Sequence, residues 1–332
     1  MKFLKKFWLE IVMILPLFVY ILGFTFVPVL SNLKDSLVDQ TYGRSHSLLT
    51  ARINEYTYDM KYSSNHAERD AYREELRKTE MELEKLQKTW EGYSLSNYKI
   101  LFKDSSFRES MYNTLIITGA GLLFQLILGI LLALLLISSF KGKGIFRTIV
   151  LTPLGIPTIV AATIMTYIFD TRGYLNEILS RCGMLKNNAP IDWAQGGWVS
   201  IIMIVFADTW KVMPLLVLLF LAGLESIPVS VHEACQIDGV KPFYKFFTVT
   251  LPLLKPYITI AIILRAIDAF RIFELPLILA GTATLPVIST FTYAEYSRQN
   301  YNLSAASATI LTGIILIFVF TYLMVSERER KS

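Results

Sequence analysis

Six apolar runs, each about as long as a bilayer crossing, dominate this 332-residue chain. A hydrocarbon core of about 30 Å takes roughly 20 helical residues at 1.5 Å each. The runs are Trp8 to Leu30, Ser110 to Ile137, Thr148 to Phe169, Trp198 to Leu221, about Tyr257 to Ala280 and about Ser304 to Val325. They predict an all-α integral membrane protein with about six transmembrane helices. Composition agrees, with 53% hydrophobic residues, 18% charged residues and a mean hydropathy of +0.46. A soluble domain of this size carries more charge and breaks its apolar runs sooner.

The net charge of +5 is read through the same frame. Lys and Arg cluster in short segments beside the apolar runs, and no basic stripe interleaves with aromatics, so the pattern points to lipid and away from nucleic acid. Lys2, Lys5 and Lys6 precede the first run, Lys141, Lys143 and Arg147 follow the second, and the tail after residue 325 ends Glu327-Arg328-Glu329-Arg330-Lys331. With an even number of crossings, all three segments fall in the cytoplasm. Arg172, Arg181 and Lys186 lie in an outer loop under this topology. The first run exceeds the 7–15 apolar residues of a signal peptide and no small-residue cleavage site follows it, which predicts a retained helix. Cys182 and Cys235 fall on opposite sides of the membrane and cannot pair within the chain, and no Cys/His spacing suggests zinc.

Residues 31–109 are polar and form an extracytoplasmic insertion between residues 1–30 and the transmembrane core, 110–325. Leu49, Ile53, Tyr56 and Met60 recur at helical spacing, Ser63-Ser64-Asn65 reads as a turn, and Asn65 with Glu68 has the form of a capping box. Leu76, Thr79, Leu83, Leu86, Trp90 and Tyr93 then alternate three and four apart, a heptad seam. This is a helical hairpin. It either docks a partner outside the membrane or buries the two stripes against each other, with Glu74, Glu75, Arg77 and Lys78 as a solvated face.

The segment joining the fourth and fifth runs, residues 222–256, carries Glu233-Ala234-Cys235-Gln236-Ile237-Asp238-Gly239 and, nine residues on, Val249-Thr250-Leu251-Pro252. Ser230 and Glu233 form a possible capping box, Gly239 can end a helix in the left-handed conformation, and Pro242 suits the first turn of the next helix. A short rigid helix, a sharp turn and a second helix can receive force from another protein.

This spacing resembles the EAA loop of binding-protein-dependent ABC importer permeases: Glu-Ala-Ala, three residues, Gly, nine residues, Ile-x-Leu-Pro. Cys235 replaces the second Ala and Val249 replaces Ile. Further matches follow in order: Asn113-Thr114, Phe146-Arg147-Thr148, Gly173-Tyr174-Leu175-Asn176, Ala222-Gly223-Leu224, Ile227-Pro228, and Arg265 through Phe273. From about Phe107 onward the chain is similar to sugar-importer permeases of the maltose-type first membrane subunit, though Gly281 to Pro286 replaces the Gly-Gly-Pro element of that branch.

The resemblance implies a type I importer permease fold with no catalysis of its own. The chain has no phosphate-binding Gly-x-x-x-x-Gly-Lys-Ser/Thr, and His46, His66 and His232 lie beside no plausible nucleophile. No cofactor is expected in this chain, with ATP and Mg held by partner ATPase subunits. The implied partners are a second similar permease, two ATPase subunits and an extracytoplasmic solute-binding protein, in a prokaryotic cytoplasmic membrane. Glu233, Ala234, Asp238, Gly239, Leu251 and Pro252 would then couple the permease to the ATPase, with Glu233 a partner for an ion pair.

Charged residues also stand inside the apolar runs: Asp208 and Lys211 in the fourth, and Arg265, Asp268, Arg271 and Glu274 in the fifth. Each costs about 2.5–3.5 kcal/mol to insert at mid-membrane, so they must pair or face water. Arg265 with Asp268 and Asp208 with Lys211 have i,i+3 spacing for a structural network. By resemblance, Asp268 to Phe273 lies near a sugar path, where Asp268, Phe270, Arg271 and Phe273 offer charge and aromatic faces. Both readings stand at this stage, with Asp268 and Arg271 as the pair nearest substrate. Pro153, Pro157, Pro214 and Pro276 allow kinks, as hinges or as ordinary membrane-helix prolines. The rivals are the same importer for a glycerol phosphate or polyamine, a membrane-embedded enzyme, which lacks a catalytic cluster, and a sensor or scaffold, which leaves the loop spacing unexplained.

Overall fold

The computed structural model describes residues 8–63, 65–90, 92–185 and 189–331, among which every regular element is helical. Lys2, Lys5, Lys6, Ser64 and Lys186 lie outside the described residues. The chain divides into two units, one of residues 1–105 with 291–310 and one of residues 106–290 with 311–332.

The first unit opens with α1, which runs Trp8–Ile21, a π-helical turn Leu22–Phe26, and Val27–Ser36. From Val12 to Leu30 it is apolar and exposed, as a lipid-facing helix should be. Then come α2 (Gln40–Tyr62), α3 (His66–Lys88) and α4 (Ser96–Lys103). Buried Asn97 ties α4 to the end of α1, donating to the Ser36 and Val38 carbonyls at 2.8 and 2.7 Å.

Helices α2 and α3 form the expected hairpin. Leu49, Ile53, Tyr56 and Met60 are half-buried, as are Leu76, Leu83 and Leu86, and Thr79 is buried. The Tyr56 and Tyr72 rings stack at 6.5 Å. Two expectations need correction. The seam stops at Leu86, because α3 ends at Lys88; Trp90 and Tyr93 are exposed, and Trp90 stacks on Tyr42 at 5.9 Å. Asn65 does cap α3, accepting from Ala67 N–H at 3.1 Å, but Glu68 bonds the Ser63 hydroxyl at 2.9 Å instead of closing a capping box. The hydroxyl of Ser63 lies within reach because Asn65 N–H folds the turn back onto it.

The second unit holds most of α5 (Ser105–Ile137), then α6 (Lys143–Leu151), α7 (Thr158–Phe169), α8 (Tyr174–Arg181), α9 (Gly197–Glu225) and α10 (Val229–Ile237). Next, α11 starts as Pro242–Lys245, passes a π-helical turn at Phe246–Thr250 and continues as Leu251–Phe270, followed by α12 (Glu274–Leu279). Helices α13 (Ile288–Ser297) and α14 (Tyr301–Lys331) complete the chain. Among the described residues, five helices are long and apolar enough to cross a membrane, or six if one bent pair counts as a span.

The third run is that bent pair, not a straight helix. A 3₁₀ turn at Thr152–Gly155 follows α6, and the direction changes by 111° before α7. Ile156, preceding Pro157, is pushed to an extended ψ of 125°, which a continuous helix forbids. The fifth run is shifted as well. It begins at Pro242, so the joining segment is shorter than residues 222–256. Pro252 would clash with the carbonyl four residues earlier in an α-helix, and that carbonyl, of Thr248, sits in the wider π turn. The run ends at Phe270 with Arg271 as its C-cap, and Pro276, which has no N–H for the Ile272 carbonyl, stands in the first turn of α12; that carbonyl accepts from the Ser289 hydroxyl.

Among the described residues, apolar clusters hold the second unit, one of them Leu136, Met213, Val217 and Leu221 between α5 and α9, and two more are larger. One gathers Ile117, Met165, Phe169, Ile204, Leu275 and Val287; the other gathers Ala133, Leu216, Phe220, Leu254 and Ala261. Gly223 makes the second possible, since a Cβ there would lie 2.6 Å from Leu254 Cδ1 and 2.7 Å from the Tyr257 ring.

Candidate functional site

The motif segment is a helix, a tight turn and a second helix. After α10, Gly239 adopts φ +65°, Gly239 N–H bonds the Gln236 carbonyl at 3.1 Å, and Val240 N–H bonds the Cys235 carbonyl at 3.0 Å. These two bonds are a Schellman ending, which requires a left-handed residue at that place. Pro242 then starts α11, as its fixed φ and missing N–H favour.

The start of α10 departs from expectation. Its N-cap is Pro228, with no side-chain cap, and Ser230 lies one residue inside the helix, so Ser230 and Glu233 form no capping box. Pro228 already supplies the extended backbone that an N-cap needs. The Glu233 carboxylate is therefore not used as a cap. It is exposed together with Ala234, Asp238 and Gly239. Ile237, Phe243 and Tyr244 are 86%, 78% and 64% exposed around the turn, an apolar surface of the kind that marks an interaction site. Behind it, Cys235 is buried, Leu251 is half-buried, Pro252 is exposed, and fully buried Leu254 locks the start of α11 against α9.

The membrane charges are arranged differently from their spacing. Asp208 and Arg265, both buried, pair with each other across α9 and α11. Gln125 of α5 joins them, donating to Asp208 Oδ2 at 2.9 Å and accepting from Arg265 Nε at 2.6 Å. The i,i+3 pairs Arg265–Asp268 and Asp208–Lys211 do not form. A cross-helix partner satisfies both buried charges, while an i,i+3 partner would leave one face of the guanidinium unmet. Lys211 instead donates to the Pro153 carbonyl at 3.0 Å, at the break before α7.

Asp268 pairs with Arg271 at 2.8 Å, both largely exposed. Arg271 is the C-cap of α11 and Glu274 opens α12, so these residues do not stack on one helix face. Phe270 is buried against Phe318, with centroids 5.5 Å apart, and Phe273 is half-buried. The charged residues expected near a substrate path thus include a buried pair, Asp208 and Arg265, and an open pair, Asp268 and Arg271.

Gln125 is the residue the sequence reading missed, though it is the single polar side chain between Thr118 and Ser138. Asn113 and Thr114 also gain roles, bonding the Pro286 carbonyl and Ile288 N–H, both at 2.9 Å.

A bundle of apolar helices that presents an exposed, glycine-turned helical element is the architecture of an importer permease. Residues 125–329 match the family described as binding-protein-dependent transport system inner membrane component, and the chain belongs to that family. It is 35% identical over 240 residues to the trehalose/maltose transport system permease protein MalF of Thermococcus litoralis, covering 71% of this chain and 80% of that one. It is also 35% identical over 214 residues to the sulfoquinovosyl glycerol transport system permease protein SmoG of Agrobacterium fabrum, covering 63% and 67%. A bacterial alginate ABC transporter, solved in complex with an alginate pentasaccharide-bound periplasmic protein, contains a chain of the same fold. That chain has a TM-score of 0.75 and 20% identity, with 100% of this chain and 98% of that one covered.

Proposed function

We propose that this chain is a permease subunit of an ATP-driven importer that passes a sugar or oligosaccharide across a prokaryotic cytoplasmic membrane. The named relatives support a carbohydrate: a trehalose/maltose permease, a sulfoquinovosyl glycerol permease and an alginate transporter. An external solute-binding protein delivers the solute. A second similar permease completes the path, and two ATPase subunits, which hold ATP and Mg, drive it. The chain itself performs no chemistry.

The observation that carries this reading is the exposed α10–α11 element. Its helix ends in a fixed Schellman turn, Glu233 stands free of the cap role, and Leu254 ties it to the core. An ATPase surface that moves this element moves α9 and α11 with it. Both termini and the Lys141–Arg147 segment lie in the cytoplasm, and the α2–α3 hairpin lies outside, where its exposed face meets the binding protein. Asp268 and Arg271 line the solute path, where sugar hydroxyls can exchange with their ion pair.

Uptake of labelled trehalose, maltose and longer glucans by cells with and without this chain tests the proposal. Uptake of one of these that requires both the chain and ATP supports it. Uptake only of a non-carbohydrate solute overturns the substrate.

A further inference from the structure

The foot of the helical hairpin carries a surface that the transport function does not account for. After α3 the chain turns back onto the end of α1. Ser94 N–H donates to the Leu37 carbonyl at 2.7 Å, Asn97 donates to the Ser36 and Val38 carbonyls, and the Ser36 and Tyr98 hydroxyls pair at 2.7 Å. These bonds fix the start of α4 to residues 36–38, where α1 closes.

That attachment sets the depth of α4. The span of α1 is Val12–Ser36, and its last exposed apolar side chain is Leu33. Ser36 lies three residues on, a rise of about 4.5 Å. A headgroup layer is about 5–7 Å thick on each side of the hydrocarbon core, so the start of α4 is level with it. Two residues after Lys103 the next span begins, at Ser105. Both ends of α4 therefore meet the end of a crossing helix.

Its chemistry suits that level. Leu95, Lys99 and Phe102 recur at i, i+4 and i+7, on the face opposite buried Asn97 and Leu101. Leu95 and Phe102 are 61% and 51% exposed, and Lys99 is exposed between them. Exposed Tyr93 meets the exposed Trp90 ring edge-on at 5.4 Å. From Ser96 to Lys103 there are two lysines and no carboxylate. Trp and Tyr concentrate at membrane–water interfaces, and a lysine stem can lie along apolar groups while its ammonium reaches phosphate.

We propose that α4 and the Trp90–Tyr93 corner rest in the outer headgroup layer, with Leu95 and Phe102 dipped toward the acyl chains and Lys99 among the phosphates. The lipid surface is then the footing from which the α2–α3 hairpin rises. The inference rests on the crossing of α1 and the outer placement of the hairpin, and not on the solute carried.

Spin labels on the full importer complex test this, in proteoliposomes of phosphatidylcholine and phosphatidylglycerol without binding protein. Leu95→Cys and Phe102→Cys are each labelled in a chain with Cys182→Ser and Cys235→Ala. Relaxation by oxygen is compared with relaxation by a water-soluble nickel chelate. The oxygen-to-nickel ratio at both sites should exceed severalfold that at Tyr58→Cys on the hairpin, and fall below that at Phe18→Cys in α1. A ratio at either site no higher than at Tyr58→Cys would overturn the proposal. So would exclusion of both reagents, which would mean that protein covers the face. If one label prevents assembly, Tyr93→Cys takes its place. Ready access of nickel to Phe18→Cys would remove the crossing of α1, and the proposal with it.

Discussion

Asp208 and Arg265, 57 residues apart in sequence, share one ion pair in the interior of the second unit. Gln125 completes it from a third helix, so α5, α9 and α11 are pinned at a single polar point. A buried pair in lipid-spanning helices gains little over an apolar contact, but breaking it leaves an unpaired charge.

Asp208→Ala is accordingly expected to cost about 3–5 kcal/mol. Gln125→Leu, which keeps the ion pair and removes one neutral partner of each charge, is expected to cost about 1–3 kcal/mol. The double change Asp208→Leu with Arg265→Leu should recover most of the loss. Thermal melting of the purified protein in detergent checks the order: Gln125→Leu and the double variant, which leaves the buried Gln125 amide without these two partners, should both melt above Asp208→Ala.

Gly239 and Glu233 should separate stability from coupling. Gly239→Ala forces a Cβ into a φ of +65°, a strain of about 1–2 kcal/mol, and should loosen the turn. Glu233→Ala removes an exposed group with no cap role and should leave melting unchanged while lowering transport severalfold. Parallel melting and uptake measurements distinguish the two.

Asp268 and Arg271 form an exposed pair at the break after α11. Exposed pairs contribute about 0–1 kcal/mol, so Asp268→Asn should scarcely change stability. Its effect should appear in the solute concentration for half-maximal uptake. An unchanged uptake curve would remove this pair from the solute path.

Asp39 caps α2 by accepting from Thr41 N–H at 2.9 Å and from Tyr42 N–H. Burial raises its carboxyl, but bonds from Ser96, Thr41 and Tyr42 outweigh it and hold the group below its ordinary 3.8. A lowered folded value means the charged cap stabilises fully above about 4 and is lost as pH falls through the folded value. The protection of the Thr41 and Tyr42 amides, taken relative to their intrinsic exchange rates at each pH, should be greater at pH 6 than in strong acid, and Asp39→Ala should lower it at pH 6 by losing about 1 kcal/mol of capping.

The apolar runs made the helices legible, and the Glu233-to-Pro252 spacing made the helix–turn–helix element legible, because both are set by local periodicity and turn chemistry. Gly239 and Pro242 act as their positions implied. The charged network was misread for a physical reason. Spacing along one helix shows which groups can meet on that helix, but Arg265 found Asp208 on another, and only tertiary packing decides that. Gln125 was visible as a lone amide in an apolar run, yet its partners lie 83 and 140 residues away. The broken third and fifth runs followed from prolines whose effect depends on where the freed carbonyl finds a donor, Lys211 for Pro153 and Ser289 for Ile272.

The most direct measurement is solute-stimulated ATP hydrolysis by the complete complex in proteoliposomes, with its binding protein and a panel of sugars, for the wild-type chain and Glu233→Ala. Stimulation by a sugar in the wild type, lost in a Glu233→Ala complex that still assembles, is the expected result. Hydrolysis that responds to no solute, or that responds equally with Glu233→Ala, would contradict coupling through this element.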